Sequence, residues 1–273
     1  MAAIDPTQEP LRRPRLAFAA GAAIGVLGGL IGLGGAEFRL PVLIAFFALA
    51  AHQAVRINLL VSLVTLAASA VARFGFAAFP DLASHAAEIL AVAAGSIVAA
   101  WFGAGLLGRI GPARLVRLIA VLLLAIGGLL GFEAAVGNAT TGALVETGPL
   151  RIATGIGAGM GIGLVSSLLG VAGGELIIPT LLFVFGMDIR TAGTASLLIA
   201  IPTVLVGVLR HYRGGAYRAK QTLATLVLPM AGGSVIGAIG GAALLPLVPV
   251  GSIKIALALV LVASAFKLAR KAA

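Results

Sequence analysis

The sequence predicts an all-α membrane protein, a polytopic helical bundle of two inverted five-segment repeats with about ten membrane segments, two of them short or re-entrant at the centre. Three observations lead there. Of 273 residues, 60% are hydrophobic and only 10% charged, with a mean hydropathy of +1.15, against roughly 25% charged residues in an ordinary soluble domain. The apolar residues fall in discrete runs, not in the short alternating segments of a β-barrel. The second half of the chain also repeats the first at a fixed spacing.

The elements follow in order. Residues 1–15, MAAIDPTQEPLRRPR, are polar and Pro-rich, and the run after them has no convincing small-residue cleavage site. They read as a cytoplasmic tail, not a removable signal. Apolar segments near 16–33, 37–50, 55–72, 86–108 and 113–132 make a first repeat, 16–132. A polar linker, 133–149, precedes a second repeat, 150–273, with segments near 150–171, 175–187, 191–209, 221–245 and 252–266 and a short cytoplasmic C-terminal tail. Crossing the hydrocarbon layer takes about 20 residues, so 37–50 and 175–187 are too short to span without tilting. The 38 glycines and 12 prolines fit a bundle whose helices approach closely and re-satisfy one another's backbone.

The repeat is visible in "GLGGAEFRLPVL" (Gly32 to Leu43), which lies over "GVAGGELIIPTL" (Gly170 to Leu181) at an offset of 138 residues. Gly35 falls on Gly173, Glu37 on Glu175 and Pro41 on Pro179. The same ungapped offset puts Asn58 on Ser196, Gly95 on Gly233, Ser96 on Ser234 and Gly103 on Gly241. A tandem duplication explains this register.

Basic residues give the orientation, since short cytoplasmic loops collect Lys and Arg. Arg12, Arg13 and Arg15, then Arg109, Arg114 and Arg117, then Arg210, Arg213, Arg218 and Lys220, then Lys267, Arg270 and Lys271 occupy four such places. The linker, with Glu133 and Glu146, and the uncharged turn Leu245 to Val250 fit the outside. These assignments agree only if the second half is upside down relative to the first. The net charge of +10 and pI near 11.4 therefore reflect anchors facing anionic headgroups rather than a nucleic-acid partner, for which no aromatic-basic motif exists.

Inverted repeats with short Gly/Pro-interrupted segments at matched places point to a secondary transporter whose site lies at the repeat interface. Gly34 and Gly35, like Gly173 and Gly174, suit left-handed backbone just before a short helix, and helix starts offer free N–H donors to an anion. Pro41 and Pro179 break those helices. Of nine acidic residues only Glu37 and Glu175 sit well inside apolar sequence, where a charge costs at least ~2.5–3.5 kcal/mol. Each is a candidate for carrying or gating protons, or for capping its helix. Arg39 has no counterpart, because Ile177 takes the equivalent place. One guanidinium suits one bidentate oxyanion, and an internal pair with Glu37 is the other reading. Asn58, Ser62 and Thr65, with Thr194, Ser196 and Thr203, complete the pocket or glue helices together. Arg56 and Arg190 read as interfacial, and Trp101 and Tyr212 as packing or belt residues. With no cysteine and three scattered histidines (His52, His85 and His211), the sequence carries no nucleophile–base pair and no metal cluster, so an enzyme is not expected.

The paired "GLIGLGGAEFRLPVL" and "SSLLGVAGGELIIPTLLF" elements, the downstream "AGTASLL" and the basic "RHYRGGAY" loop together resemble the sulfite exporter TauE/SafE family, also called the toluene-sulfonate uptake permease family. The resemblance runs over about residues 16 to 266. It implies a bacterial inner-membrane secondary transporter of sulfite or organosulfonates such as sulfoacetate, without a cofactor. It also implies that the family's glycine-rich elements fall on Gly32, Gly34, Gly35 and Pro41 and on Gly170, Gly173, Gly174 and Pro179. The more usual form has a third glycine and apolar residues before the proline, so Glu37, Arg39 and Glu175 mark a departure. The expected partners are a small anion, membrane lipid and protons as coupling ion. The expected site is Arg39, Gly34, Gly35, Gly173, Gly174, Asn58 and Ser196 around the anion, and a passive anion channel is the alternative mechanism.

Overall fold

A computed structural model describes residues 13–31, 35–76, 82–136 and 148–244, together with 259, 262, 263, 265 and 266. Among these residues every regular element is helical. The order is α1 (Pro14–Ile31), α2 (Ala36–Ala45), α3 (Ala51–Phe76), α4 (Ala86–Leu106) ending in a 3₁₀ turn (Leu107–Arg109), and α5 (Pro112–Val136). Then come α6 (Pro149–Leu169), α7 (Gly174–Pro179) running into a π turn (Thr180–Val184), α8 (Ile189–Arg213), and α9 (Lys220–Thr222), joined by a π turn (Leu223–Val227) to α10 (Leu228–Leu244). The expected segment near 252–266 lies largely outside the described residues.

Among the described residues, five stretches are long and apolar enough to cross a membrane: Ala51–Val71, Ala86–Arg109, Pro149–Leu169, Thr191–Arg213 and Lys220–Gly241. Leu90, Phe102, Val121, Leu150 and Leu228 are more than 60% exposed on the surface of these and neighbouring helices. Such surface suits lipid, because soluble monomers rarely leave large contiguous apolar patches in water. The chain is a multi-pass membrane protein. Short α2 and α7, as the sequence predicts, are too brief to span at 1.5 Å per residue.

Small residues decide which helices meet. Gly21, Gly25 and Gly29 of α1 lie on Met230, Ser234 and Ala238 of α10, so close that an added methyl group would overlap each backbone carbonyl. Gly159 and Gly163 of α6 meet Val92 and Ser96 of α4 in the same way, and Gly95 of α4 meets Ile156. In each pair the numbers rise together, so the paired helices are parallel. Subtracting or adding 138 converts Gly21–Met230 into Gly159–Val92, and Gly25–Ser234 into Gly163–Ser96. One interface is therefore built twice with the partners exchanged. Direct backbone approach of this kind maximises van der Waals contact where lipid offers no hydrophobic driving force.

The two ends of the bundle differ. His52, at the start of α3, reaches the Ile110 carbonyl beyond α4 at 2.9 Å. Tyr217, beyond α8, donates to the Arg56 carbonyl at 2.9 Å. Ser96 and Thr203 join α4 to α8 at 2.8 Å, and further along the same two helices Arg210 stacks on Trp101 at 4.6 Å. The end where α3 begins is thus the end where α4 and α8 finish.

The 138-residue offset persists in backbone detail. Leu49 N–H donates to Leu43, and Met187 N–H to Leu181. Ala48 has φ 55°, and its equivalent Gly186 has φ 68°. A left-handed conformation costs a non-glycine residue about 1–2 kcal/mol. Ala48→Gly is therefore expected to stabilise the detergent-purified protein, and Gly186→Ala to destabilise it, each by about 0.5–1 kcal/mol after glycine's entropic cost, read as a higher and a lower melting temperature.

Candidate functional site

The site begins at two glycine turns. Gly35 has φ 67° and precedes α2; Gly173 has φ 81° and precedes α7. Each folds back on the helix the chain has just left, Gly35 on Ile24 and Gly173 on Ile162, which are themselves equivalent residues. A Cβ on Gly35 would come within 2.9 Å of Ile24, so the turn needs glycine for space as well as for φ. Gly174 is the buried first residue of α7, while Gly34 lies outside the described residues. Pro41 and Pro179 lie inside α2 and α7 and lack the N–H that would bond the carbonyl of the glutamate four residues before. After Pro179 the helix widens into its π turn, whereas α2 runs on to Ala45.

Just past the first turn lie two charges with 0% exposure, Glu37 and Arg39. Glu37 sits in the first turn of α2, where the helix dipole favours a carboxylate. It also acts electrostatically on the Arg39 guanidinium. Arg39 Nη1 donates to Ser62 Oγ of α3 at 3.2 Å. The two charges of the Gly32–Leu43 motif thus belong to one buried constellation with α3. On the other side, Ile177 fills the place of Arg39 as a fully buried apolar residue. Glu175 lies in the first turn of α7, with its side chain outside the described residues.

Asn58 does a job its composition does not announce. Its Nδ2 donates to the Ala36 carbonyl and to the Gly170 carbonyl, both at 2.7 Å, clasping the start of α2 to the end of α6. Gly170, at φ 71°, lets the chain approach Val55 so closely that a Cβ would sit 2.7 Å from its carbonyl oxygen. Asn58 Oδ1 is buried without a hydrogen-bond partner among the described residues, leaving an acceptor where the two repeats touch. Ser196 is different: it donates to Gly193 in its own helix at 2.9 Å. Thr65 likewise bonds Val61. Of the sequence-predicted residues, Gly35, Glu37, Arg39, Asn58 and Ser62 come together; among the described contacts none joins Gly173, Gly174 or Ser196 to Arg39. Ser166, which supports the second glycine turn by donating to Val171 at 2.7 Å, was not singled out, because a serine near a helix end is unremarkable in sequence.

A second feature missed in sequence lies at the other end of the bundle. Arg151 Nε meets Glu88 Oε1 at 2.7 Å, and Arg151 Nη2 donates to the Phe185 carbonyl at 2.9 Å. Its guanidinium also lies over the Phe185 ring. This ties α4, α6 and the segment after α7. Arg151→Met leaves Glu88 largely buried and without this partner, and is expected to cost about 1–3 kcal/mol, read as a lower melting temperature in detergent. No group of three or more metal-ligating side chains occurs among the described residues.

Comparison with curated proteins and with solved structures returns no match. A family model described as sulfite exporter TauE/SafE matches residues 2–130 and 155–273, both halves of the duplication. With nearly the whole length covered, the chain belongs to the sulfite exporter TauE/SafE family.

Proposed function

We propose that the protein is a secondary transporter that moves a small sulfur oxyanion or sulfonate, such as sulfite or sulfoacetate, across the bacterial inner membrane by alternating access. The observation that carries the reading is Arg39: a guanidinium with 0% exposure, in a short helix opened by a left-handed glycine, present in one repeat only. A fixed cation that suits two oxygens of one anion is the economical explanation for its asymmetry. The start of α2 adds N–H donors and a positive dipole end, and Gly173 and Gly174 offer the matching start of α7. Glu37 and Glu175, placed alike in the two repeats, are proposed to take up or gate protons.

Inversion of the repeats is supported by helix direction. The third helices, α3 and α8, are repeat equivalents, yet the start of α3 meets the end of α8 at Tyr217 and Arg56. The exchange of α1–α10 for α4–α6 supports the same relation. The proposed domains are a cytoplasmic tail (1–15), repeat 1 (16–132), an external linker (133–149) and repeat 2 (150–273). The convergence of Arg210 and Arg213 with the end of α4 at Trp101 favours that end as cytoplasmic.

The test is flux of labelled sulfite and sulfoacetate into proteoliposomes. Accumulation against a gradient under an imposed pH difference, weakened in Glu37→Gln, supports coupled carriage. Downhill flux that never accumulates would instead make the protein a channel.

A further inference from the structure

The basic end of the bundle holds a set of groups that the transport site does not use. Arg56, near the start of α3, is half-buried, and its Nε is buried with no hydrogen-bond partner among the described residues. His211, at the end of α8, is 5% exposed, and its Nε2 is buried and likewise has no partner there. The two side chains are within electrostatic reach of each other. Beside them, Tyr217 holds the Arg56 backbone through its hydroxyl at 2.9 Å and does so from φ 67°, a conformation that costs a bulky residue energy and tends to persist at functional positions. Burial keeps the Tyr217 phenol above its ordinary pKa, so its hydroxyl stays a donor. Around this core, the turn after α8 folds Arg218 over Gly215, while Arg210 and Arg213 stack on Trp101.

Among the described residues this end is short of negative charge. Among the described residues, the ion pair of the chain's opposite end, Glu88 with Arg151, has no equivalent here, and Arg56, Arg109, Arg210, Arg213 and Arg218 meet no carboxylate. A buried cationic or imidazole nitrogen without an acceptor is costly. Two such nitrogens, on residues that the strained loop ties together through Tyr217 to the Arg56 carbonyl at 2.9 Å and through Ala216 N–H to the His211 carbonyl at 3.0 Å, fit a common acceptor. Snorkelling to the headgroups alone does not explain why the Arg56 Nε is buried with no hydrogen-bond partner among the described residues.

From this geometry we infer that Arg56 and His211, closed over by the Tyr217 loop, form a second oxyanion site at the basic end of the protein, taking a tetrahedral phosphate or sulfate group. It is separate from the Arg39 site: Arg39 meets α3 at Ser62, six residues and about 9 Å of helix rise beyond Arg56. The same chemistry is offered by a soluble oxyanion and by the phosphate of an anionic lipid.

The chain contains a single tryptophan, and it stands at this end, with Arg210 4.6 Å above its ring. Trp101 fluorescence is therefore a local reporter. Full-length protein in lipid-free non-ionic detergent is titrated with inorganic phosphate and with sulfate, and in parallel reconstituted into nanodiscs of phosphatidylcholine with or without phosphatidylglycerol. A saturable Trp101 change with soluble anion, kept in the double variant Glu37→Gln/Arg39→Gln and weakened roughly 10–100-fold in Arg56→Gln, as loss of a charge-assisted hydrogen bond implies, supports the site and assigns it a soluble ligand. A Trp101 change and a higher melting temperature only with phosphatidylglycerol, again lost in Arg56→Gln, supports the site with a lipid phosphate as ligand. His211→Gln and Arg56→Lys, which preserve bulk and charge respectively, serve if Arg56→Gln does not fold. Responses that persist in all three variants at this end, or that vanish in Glu37→Gln/Arg39→Gln alone, overturn the inference; the latter result would leave the transport site standing.

Discussion

Gly163→Leu is expected to yield no folded protein, while Gly161→Leu, two residues away on the same helix, purifies like the wild type. Gly163 lies on the backbone of Ser96, and a Cβ there would overlap its carbonyl oxygen; around Gly161 nothing lies within 4 Å. A leucine at 163 must push α6 off α4 along its length, because Gly159 and Gly155 sit in the same stripe against Val92 and Ala91. Overpacking a well-packed interior usually costs about 1–3 kcal/mol. Here the obstacle is rigid backbone, so the cost falls at or beyond the upper end. At 161 the leucine faces outward and only adds apolar surface for lipid. Gly25→Leu, the repeat-equivalent change on α1, is expected to match Gly163→Leu in severity. Size-exclusion profiles and yield in mild detergent measure all three. Equal behaviour of the 161 and 163 variants would refute the backbone contact.

That contrast also shows what a sequence can and cannot disclose. The glycine turns were legible because Gly-Gly, Glu and Pro recur at one offset, and the structure repeats them as φ 67° at Gly35 and φ 81° at Gly173. The stripes Gly21, Gly25, Gly29 and Gly155, Gly159, Gly163 show a spacing of four, but a stripe does not say which helix it faces. Their partners come from the opposite repeat, more than 50 residues away for α4–α6 and about 200 for α1–α10. Asn58 and Ser196 share a repeat position and diverge in role for a physical reason. The amide reaches two carbonyls at once, one of them 112 residues away, whereas serine is short enough to bond its own helix instead. Glu88 and Arg151 lie 63 residues apart in sequence, and only the parallel packing of α4 on α6 brings them together.

Arg39→Ala is expected to abolish sulfite flux and to weaken the fold, and separating these effects tests the proposed anion contact. Removing the guanidinium leaves Glu37 fully buried without the electrostatic complement that Arg39 supplies. Breaking a buried pair on one side typically costs about 3–5 kcal/mol, so lost flux in Arg39→Ala alone has two explanations. The double variant Glu37→Gln/Arg39→Gln removes both charges while keeping comparable bulk and hydrogen-bonding capacity. If the pair served only to satisfy itself, this variant should melt near the wild type and still carry sulfite. If Arg39 grips the anion, it should melt near the wild type and carry almost none, with flux down roughly 100-fold, as loss of a bidentate charge-assisted contact implies. Arg39→Lys sharpens the result. It retains a positive charge near Glu37 but not the planar two-pronged donor set, so stability should largely survive while the apparent affinity for sulfite falls about tenfold. Normal flux in the double variant would remove Arg39 from the transport site and reduce Glu37 and Arg39 to buried charges that shape α2.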